Sequence, residues 1–176
     1  MSWELSVLNW IQDSLHSAWG NVLWPAISAL GNAGAVWIAL ALVLLCVKRT
    51  RKLGVCVALA LLLDLLCCNL ILKPLIGRLR PFEVDPALIP LIKLPADASF
   101  PSGHTAASFA AASALYFGKS RLFIPALVLA CAIAFSRLYL LVHFPTDVLA
   151  GAVLGIACGF GGVKLTEKLN QKKPLL

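Results

Sequence analysis

The chain has 176 residues, of which 60% are hydrophobic and only 13% are charged, and its mean hydropathy is +0.89. This composition excludes an ordinary soluble domain and predicts an integral membrane protein. The net charge of +7 lies in short clusters between apolar segments, with no separate basic arm, so we do not expect nucleic-acid binding.

The first 20 residues predict an amphipathic helix that lies along the membrane interface. One face carries apolar or small residues at helical spacing, namely Trp3, Val7, Trp10, Ile11, Ser14 and Ala18. Glu4, Gln12 and Asp13 lie beside this face, and tryptophans are common at the membrane–water boundary. We therefore expect this segment to lie on the membrane rather than to cross it.

Five apolar segments follow, each close to the length that crosses a bilayer. They run over about residues 22–47, 53–72, 101–117, 122–141 and 145–163. Each is predicted to be helical, because an open strand cannot satisfy its backbone hydrogen bonds in lipid. The chain is therefore predicted to be an all-α integral membrane protein, a bundle of about five transmembrane helices in one domain over residues 1–176.

Basic residues are concentrated at one end of this predicted bundle. Ten lie in the connections after the first and third segments and after the fifth, namely Lys48, Arg49, Arg51, Lys52, Lys119, Arg121, Lys164, Lys168, Lys172 and Lys173. Five lie at the opposite end, namely Lys73, Arg78, Arg80, Lys93 and Arg137. The positive-inside rule makes the first end, with the C-terminus, cytoplasmic and the other end external.

Three short strings of polar residues lie at the external end. They are Lys73 with Arg80-Pro81, then Pro101-Ser102-Gly103-His104, then Ser136-Arg137 with His143 and Asp147. The first string follows the second segment, the second string opens the third segment, and the last joins the fourth segment to the fifth. The predicted threading therefore brings all three strings to one depth on one face of the membrane.

The order and spacing of these strings resemble the three-part signature of the type 2 phosphatidic acid phosphatase superfamily. The resemblance covers about residues 70–150, and no signature position is missing. That superfamily includes membrane lipid phosphatases and soluble vanadium haloperoxidases, so the fold alone does not determine the reaction. The apolar composition favours the membrane phosphatase branch.

The cations of the strings suit a phosphate group. Lys73, Arg80 and Arg137 can balance the charge that spreads over the phosphoryl oxygens in the transition state. Ser102 can donate a hydroxyl hydrogen bond, and Gly103 lets backbone N–H groups approach the anion closely. The third and fifth segments both begin near proline, which is common in the first turn of a helix. The positive N-terminal ends of these two helices would therefore point at the phosphate.

The two histidines suit nucleophilic and acid–base roles. Asp147, four positions after His143, can hold one imidazole nitrogen protonated and leave the other free to attack phosphorus. The resemblance implies the same nucleophilic role for His143. His104 would then protonate the leaving oxygen and later act as the base for the water that cleaves the phosphohistidine. These side chains could also be read as metal ligands, but the flanking cations would repel a metal ion, and we expect no metal or other cofactor.

Two charged residues leave alternatives open. Arg78 could bind a second phosphate of a diphosphate substrate or could be a solvated loop charge. Asp64 lies in the middle of the second segment, where an ionisable group usually faces the bundle interior. We interpret Asp64 as a structural polar contact or a protonated acid. The six cysteines all lie in apolar segments and are expected to be buried thiols.

The placement of the pocket predicts the substrate class. A site at the external interface can admit a lipid whose head group carries the phosphate while its tails remain in the bilayer. Undecaprenyl diphosphate is the favoured substrate, with phosphatidic acid and phosphatidylglycerol phosphate as alternatives. A different class also stays open, a transport or interaction protein that binds phosphorylated lipid without turnover, although pure binding does not require two proton-transferring histidines.

Overall fold

The computed structural model describes residues 2–172, so Lys173 of the predicted cytoplasmic cluster lies outside the described residues. Over this range all regular secondary structure is helical, and a long irregular loop covers residues 85–102. The α-helices are α1 Ser2–Leu15, α2 Gly20–Leu30, α3 Ala35–Cys46, α4 Arg51–Asp64, α5 Lys73–Ile76, α6 Pro81–Val84, α7 Gly103–Phe117, α8 Phe123–Tyr139 and α9 Pro145–Lys172. The predicted all-α class is confirmed.

The first predicted span, 22–47, is not one continuous helix. A short 3₁₀ turn, Asn32–Gly34, separates α2 from α3, and the two helices meet at a bend of 45°. Ala33 and Gly34 both adopt left-handed backbone conformations, with φ of 50° and 69°. An α-helix cannot continue through such residues, and for Ala33 the conformation is costly. The break places Asn32 beside the second polar string.

The second predicted span, 53–72, is helical but changes its winding near the external end. After α4, the residues Leu65–Leu72 form a π-helix that leads directly into α5. Gly77 then adopts the left-handed conformation, with φ of 59°, and ends α5. π-helical turns are often found at functional sites, and here the wide turn leads into Lys73.

Helices α4, α7 and α9 form the centre of the molecule. α9 packs most extensively against α7 and next against α4. Glycines on α9 allow this approach, because a Cβ at Gly151 would lie 2.7 Å from the Ser102 carbonyl oxygen and one at Gly162 would lie 2.7 Å from the Cys56 carbonyl oxygen. The facing side of α7 is built from buried alanines. Small residues on both sides thus replace side-chain interdigitation with close backbone packing.

The described residues contain two helical runs that are long and apolar enough to cross a membrane, Lys48–Val84 and Pro145–Gln171. The bent pair of α2 and α3 makes a third if it counts as one span, and α8 is a shorter apolar helix. α9 extends well beyond the predicted limit of residue 163. The five-span count stays a prediction.

Helix α1 divides its residues between two faces. Trp3 and Trp10 are more than half exposed, whereas Leu8 and Ile11 are buried against the bundle. Ile11 therefore lies on the protein side rather than on the outward apolar face that the spacing predicted. Glu4, which the sequence places beside the apolar face, is also buried.

Candidate active site

Three cationic side chains from separate parts of the chain surround one cavity of about 440 Å³. Lys73 begins α5, Arg80 immediately precedes α6, and Arg137 lies in the last turn of α8. All three are buried. Burial of three unopposed cations is costly, so the cavity must supply anionic or polar partners.

Almost every N–H group of Arg80 donates a hydrogen bond. Its Nη1 donates to the Val142 carbonyl at 2.6 Å, and its Nη2 donates to Asp97 Oδ1 at 2.7 Å. Its Nε donates to the Asp97 carbonyl at 2.9 Å, and its backbone N–H donates to Glu83 Oε2 at 2.6 Å. These contacts fix the guanidinium plane beside His143.

Arg137 keeps an open donor. Its Nη1 donates to the Ser28 hydroxyl of α2, while its buried Nε has no hydrogen-bond partner. A buried guanidinium N–H without an acceptor is rare, because the lost hydrogen bond costs about 1–3 kcal/mol. An oxyanion in the cavity beside Arg137 would satisfy it.

His143 lies in the turn between α8 and α9, where it is fully enclosed. Its Nε2 is 3.3 Å from Arg80 Nη1, and its Nδ1 is 3.5 Å from Asp147 Oδ2. When Nε2 accepts from Arg80, the ring proton is on Nδ1 and faces Asp147. The second distance is longer than an ordinary hydrogen bond, and Nδ1 has no hydrogen-bond partner among the described residues.

Burial, together with the charges of the nearby Arg137 and Arg80, lowers the pKa of His143 to about 3, against the opposing effect of Asp147. The imidazole is therefore neutral near pH 7 and can act as a nucleophile. The geometry leaves Nε2 on the cavity side and Nδ1 on the side of α9.

Asp147, in the first turn of α9, is bound at both oxygens. Oδ2 accepts from the Ser99 hydroxyl at 2.5 Å and from the Phe144 backbone N–H at 2.8 Å. Oδ1 accepts from Arg78 Nη1 at 2.6 Å. Arg78 does not line this cavity, so the arrangement favours a role in holding Asp147. A contact of Arg78 with a second phosphate stays a prediction.

The second string contributes His104 and a helix start. His104, in the first turn of α7, has its Nε2 2.9 Å from Asn32 Oδ1. Ser102 is the N-cap of α7, because its hydroxyl accepts from the Thr105 backbone N–H at 3.5 Å. Ser102 is fully buried in this role. A direct contact of its hydroxyl with phosphate stays a prediction.

A second cavity, of about 490 Å³, adjoins the first between α3, α4 and α7. Lys73, Asp97 and His104 line both cavities, and Gly103 lines only the second. The rest of the second cavity is largely apolar, apart from Asn69 and Asp64. Asp64 is buried and its Oδ1 has no hydrogen-bond partner, so it faces the bundle interior as the sequence indicated.

The family model of the PAP2 superfamily matches residues 49–171, which include all three polar strings. The chain belongs to this superfamily. Over 140 residues it is 34% identical to an undecaprenyl-diphosphatase of Sulfolobus acidocaldarius, covering 78% of this chain and 67% of that relative. Over 184 residues it is 31% identical to a lipid A 4'-phosphatase of Bacteroides thetaiotaomicron, covering 93% of this chain and 79% of that one.

A solved PAP2 structure has the same fold. The transmembrane phosphatidylglycerolphosphate phosphatase from Bacillus subtilis superimposes with a TM-score of 0.76 at 27% identity, over 98% of this chain and 86% of that one. The predicted superfamily is confirmed, and this PAP2 protein is a membrane lipid phosphatase.

Sequence reasoning missed a central member of this PAP2 site, Asp97. Its carboxylate forms salt bridges with both Lys73 Nζ and Arg80 Nη2. Burial raises the pKa of Asp97, but the hydrogen bond and charge of Lys73, with those of Arg80, outweigh burial and lower the pKa to about 2. An isolated acid in a loop of apolar residues and prolines carries no motif. The available signal was that clustered buried cations require a counter-charge.

Proposed function

We propose that this phosphatase removes a phosphate from a polyprenyl diphosphate, with undecaprenyl diphosphate as the favoured substrate, through a phosphohistidine on His143. One observation carries the proposal. Lys73 and Arg80 hold the carboxylate of Asp97 inside the cavity that His143 and Arg137 also line. The cavity is therefore built to hold an oxyanion next to an uncharged imidazole nitrogen.

In the proposed reaction the substrate phosphate replaces the Asp97 carboxylate. Lys73, Arg80 and the free Nε–H of Arg137 then bind the phosphoryl oxygens. His143 Nε2 attacks phosphorus as the bond to the leaving oxygen breaks, and Asp147 stabilises the proton on Nδ1. Charge stabilisation by the three cations supplies most of the catalysis, as in other phosphoryl transfers.

His104 suits the acid and base steps because it lines both cavities. It protonates the leaving oxygen in the first step. In the second step it takes a proton from water, whose oxygen attacks the phosphohistidine and releases inorganic phosphate. Asn32, beside the break between α2 and α3, orients the imidazole. Every step uses side chains of the chain itself and no metal ion.

The joined cavities support a diphosphate head group. Because Lys73 lines both, its ammonium can contact the transferred phosphate and also the phosphate that leaves with the lipid. The sequence left this role open for Arg78, as an alternative to a solvated loop charge, and Arg78 lines neither cavity. A second candidate is a monophosphate such as phosphatidylglycerol phosphate, which the similarity to the Bacillus subtilis phosphatase favours.

The proposal places the chain as one domain of five spans with the site on the external face. The polar strings lie at the start of α7, the end of α8 and the start of α9, whereas Lys119 and Arg121 lie between the other ends of α7 and α8. The exposed Trp3 and Trp10 of α1 support its position at the same external interface. The C-terminus is then cytoplasmic.

The catalytic proposal is tested by phosphate release from detergent-purified protein. The substrates are undecaprenyl diphosphate, phosphatidylglycerol phosphate, phosphatidic acid and lipid A, each with EDTA present. We expect fastest release from undecaprenyl diphosphate and none from His143→Ala, whereas His16→Ala serves as the matched control outside the site. Turnover by His143→Ala would contradict the covalent mechanism, and binding without release from any lipid would indicate a non-catalytic lipid-binding protein.

The membrane orientation is tested by labelling in intact cells. In a background without native cysteines, Ala87→Cys should react with an impermeant thiol reagent and Arg121→Cys should react only after permeabilisation. Both positions are exposed. The reverse pattern would place the site in the cytoplasm.

A further inference from the structure

We propose that Glu4 in α1 and Arg78 are positioning residues that hold the Asp147 carboxylate in place for His143, so that the N-terminal helix completes the active site. This inference rests on the proposed roles of His143 and Asp147. It concerns two side chains that lie outside both cavities.

Arg78 connects the two carboxylates directly. Its Nη1 donates to Asp147 Oδ1 at 2.6 Å, and its Nη2 donates to Glu4 Oε2 at 2.7 Å. The guanidinium carbon lies 4.1 Å from the centre of the Phe144 ring, so the plane is also stacked on the turn that carries His143. A planar fork with two anchored nitrogens restricts Asp147 Oδ1, which leaves Oδ2 on the side of His143 Nδ1.

Glu4 is built into this network. It is only 4% exposed, and its Oε1 accepts from the Thr146 hydroxyl at 2.6 Å and from the Thr146 backbone N–H at 3.3 Å. Burial raises the pKa of Glu4, but the hydrogen bonds from Thr146 and Arg78 outweigh burial and keep the pKa below its usual range. The carboxylate is therefore charged and fully paired, although Glu4 is 142 residues away in sequence from Thr146.

The alternating charges determine how each variant should act on His143. The positive charge of Arg78 partly offsets the negative charge of Asp147. The negative charge of Glu4 in turn offsets the charge of Arg78. Removing Glu4 leaves Arg78 uncompensated, which disfavours protonated His143. Removing Arg78 leaves two neighbouring carboxylates, which favours protonated His143. The other charged or titratable groups around His143 are Asp147 of α9, Arg137 of α8, His104 of α7, and Lys73, Arg80, Lys93 and Asp97 in the cavity wall.

The test compares Glu4→Gln and Arg78→Gln with wild type in the full-length, detergent-purified protein. The rate of phosphohistidine formation is measured in a single turnover per active site. We expect each variant to lose about 10-fold, because even a small misplacement of a reactive side chain slows the chemical step. Inhibition by inorganic phosphate should change less than twofold, since the cavity cations remain.

The pH profile separates positioning from a purely structural role. The acid limb of kcat/KM should move to lower pH in Glu4→Gln and to higher pH in Arg78→Gln. The double variant should lose less than the product of the single losses. Asp13→Asn, which removes an exposed charge from the same helix, is the matched control and should behave as wild type.

Two further variants keep the test decisive if a glutamine variant folds poorly. Thr146→Val removes the hydroxyl that donates to Glu4 Oε1 and accepts from Arg78 Nη1 at 2.7 Å, and we expect a smaller loss, restored in Thr146→Ser. The inference is overturned if the acid limbs of Glu4→Gln and Arg78→Gln move in the same direction. It is also overturned if the double variant loses the full product of the two single losses in rate, or if Asp13→Asn loses as much rate as Glu4→Gln. If His143→Ala itself retains turnover, the proposed mechanism fails; if it is inactive while Glu4→Gln and Arg78→Gln behave as wild type, only this inference fails.

Discussion

Replacing Asp97 with asparagine should make the enzyme bind oxyanions more tightly. In the absence of substrate the Asp97 carboxylate occupies Lys73 and Arg80, so a phosphate must displace it before the two cations are free. Asparagine has the same shape and can still accept from Arg80, but it carries no charge. The variant therefore weakens the internal competitor and leaves the binding cations in place.

The size of the change in affinity depends on how exposed Asp97 and Arg80 are in their ion pair. A hydrogen bond between a charged donor and acceptor contributes about 1.5–3 kcal/mol when buried, and an exposed ion pair contributes about 0–1 kcal/mol. Arg80 is buried whereas the Asp97 side chain is 53% exposed, which places the pair between these ranges. A difference of about 1–1.4 kcal/mol corresponds to a change of about 5- to 10-fold in the inhibition constant.

Vanadate and inorganic phosphate are the inhibitors to use, with phosphate release from the lipid as the assay. We expect both inhibition constants to fall by about this factor in Asp97→Asn, with slower product release at saturating substrate. Asp85→Asn, in the same loop but in contact with neither cation, should show wild-type inhibition. Weaker inhibition in Asp97→Asn would refute the reasoning, since it would mean that Asp97 holds the cations in their binding positions.

Three other outcomes follow from the structure. Gly151→Ala should lose about 1–3 kcal/mol of stability and lower the melting temperature in detergent, because the new Cβ would lie 2.7 Å from the Ser102 carbonyl oxygen. His104→Gln should slow lipid hydrolysis by about 10²- to 10⁴-fold and accumulate phosphohistidine from an activated aryl phosphate, whose leaving group needs no acid. The pKa of Asp97, lowered from 3.8 to about 2, predicts a contribution to stability that is present above about pH 4 and lost as the pH falls to about 2.

Each of these has its own control. Gly161→Ala should be tolerated, because its new Cβ would meet only the end of the Leu63 side chain at 3.0 Å, and equal destabilisation of both glycine variants would contradict the packing argument. Failure of His104→Gln to accumulate the phosphoenzyme would remove His104 from the second step. Asp97→Asn should lack the loss of stability between about pH 4 and pH 2, and an unchanged acid profile in that variant would show that other groups cause it.

The membrane class, the helical secondary structure and the three polar strings could all be predicted from the sequence. Each is a local property, since hydropathy, helix-starting prolines and motif spacing are determined by neighbours along the chain. The break between α2 and α3 could not be predicted in this way. Ala33 adopts a left-handed conformation that its own side chain disfavours, so the surrounding packing must impose it.

The sequence by itself determined which kinds of group the site contains, because cations and histidines at signature spacings are unusual in an apolar chain. Only the tertiary structure decided how those groups are paired. Asp97 meets Lys73 and Arg80 across a loop, and Glu4 of the N-terminal helix meets Arg78, which lies 74 residues later in the sequence. A single carboxylate among mostly apolar neighbours has no periodicity or motif. It becomes important only when folding removes water from a nearby cation, because the carboxylate is then the available counter-charge.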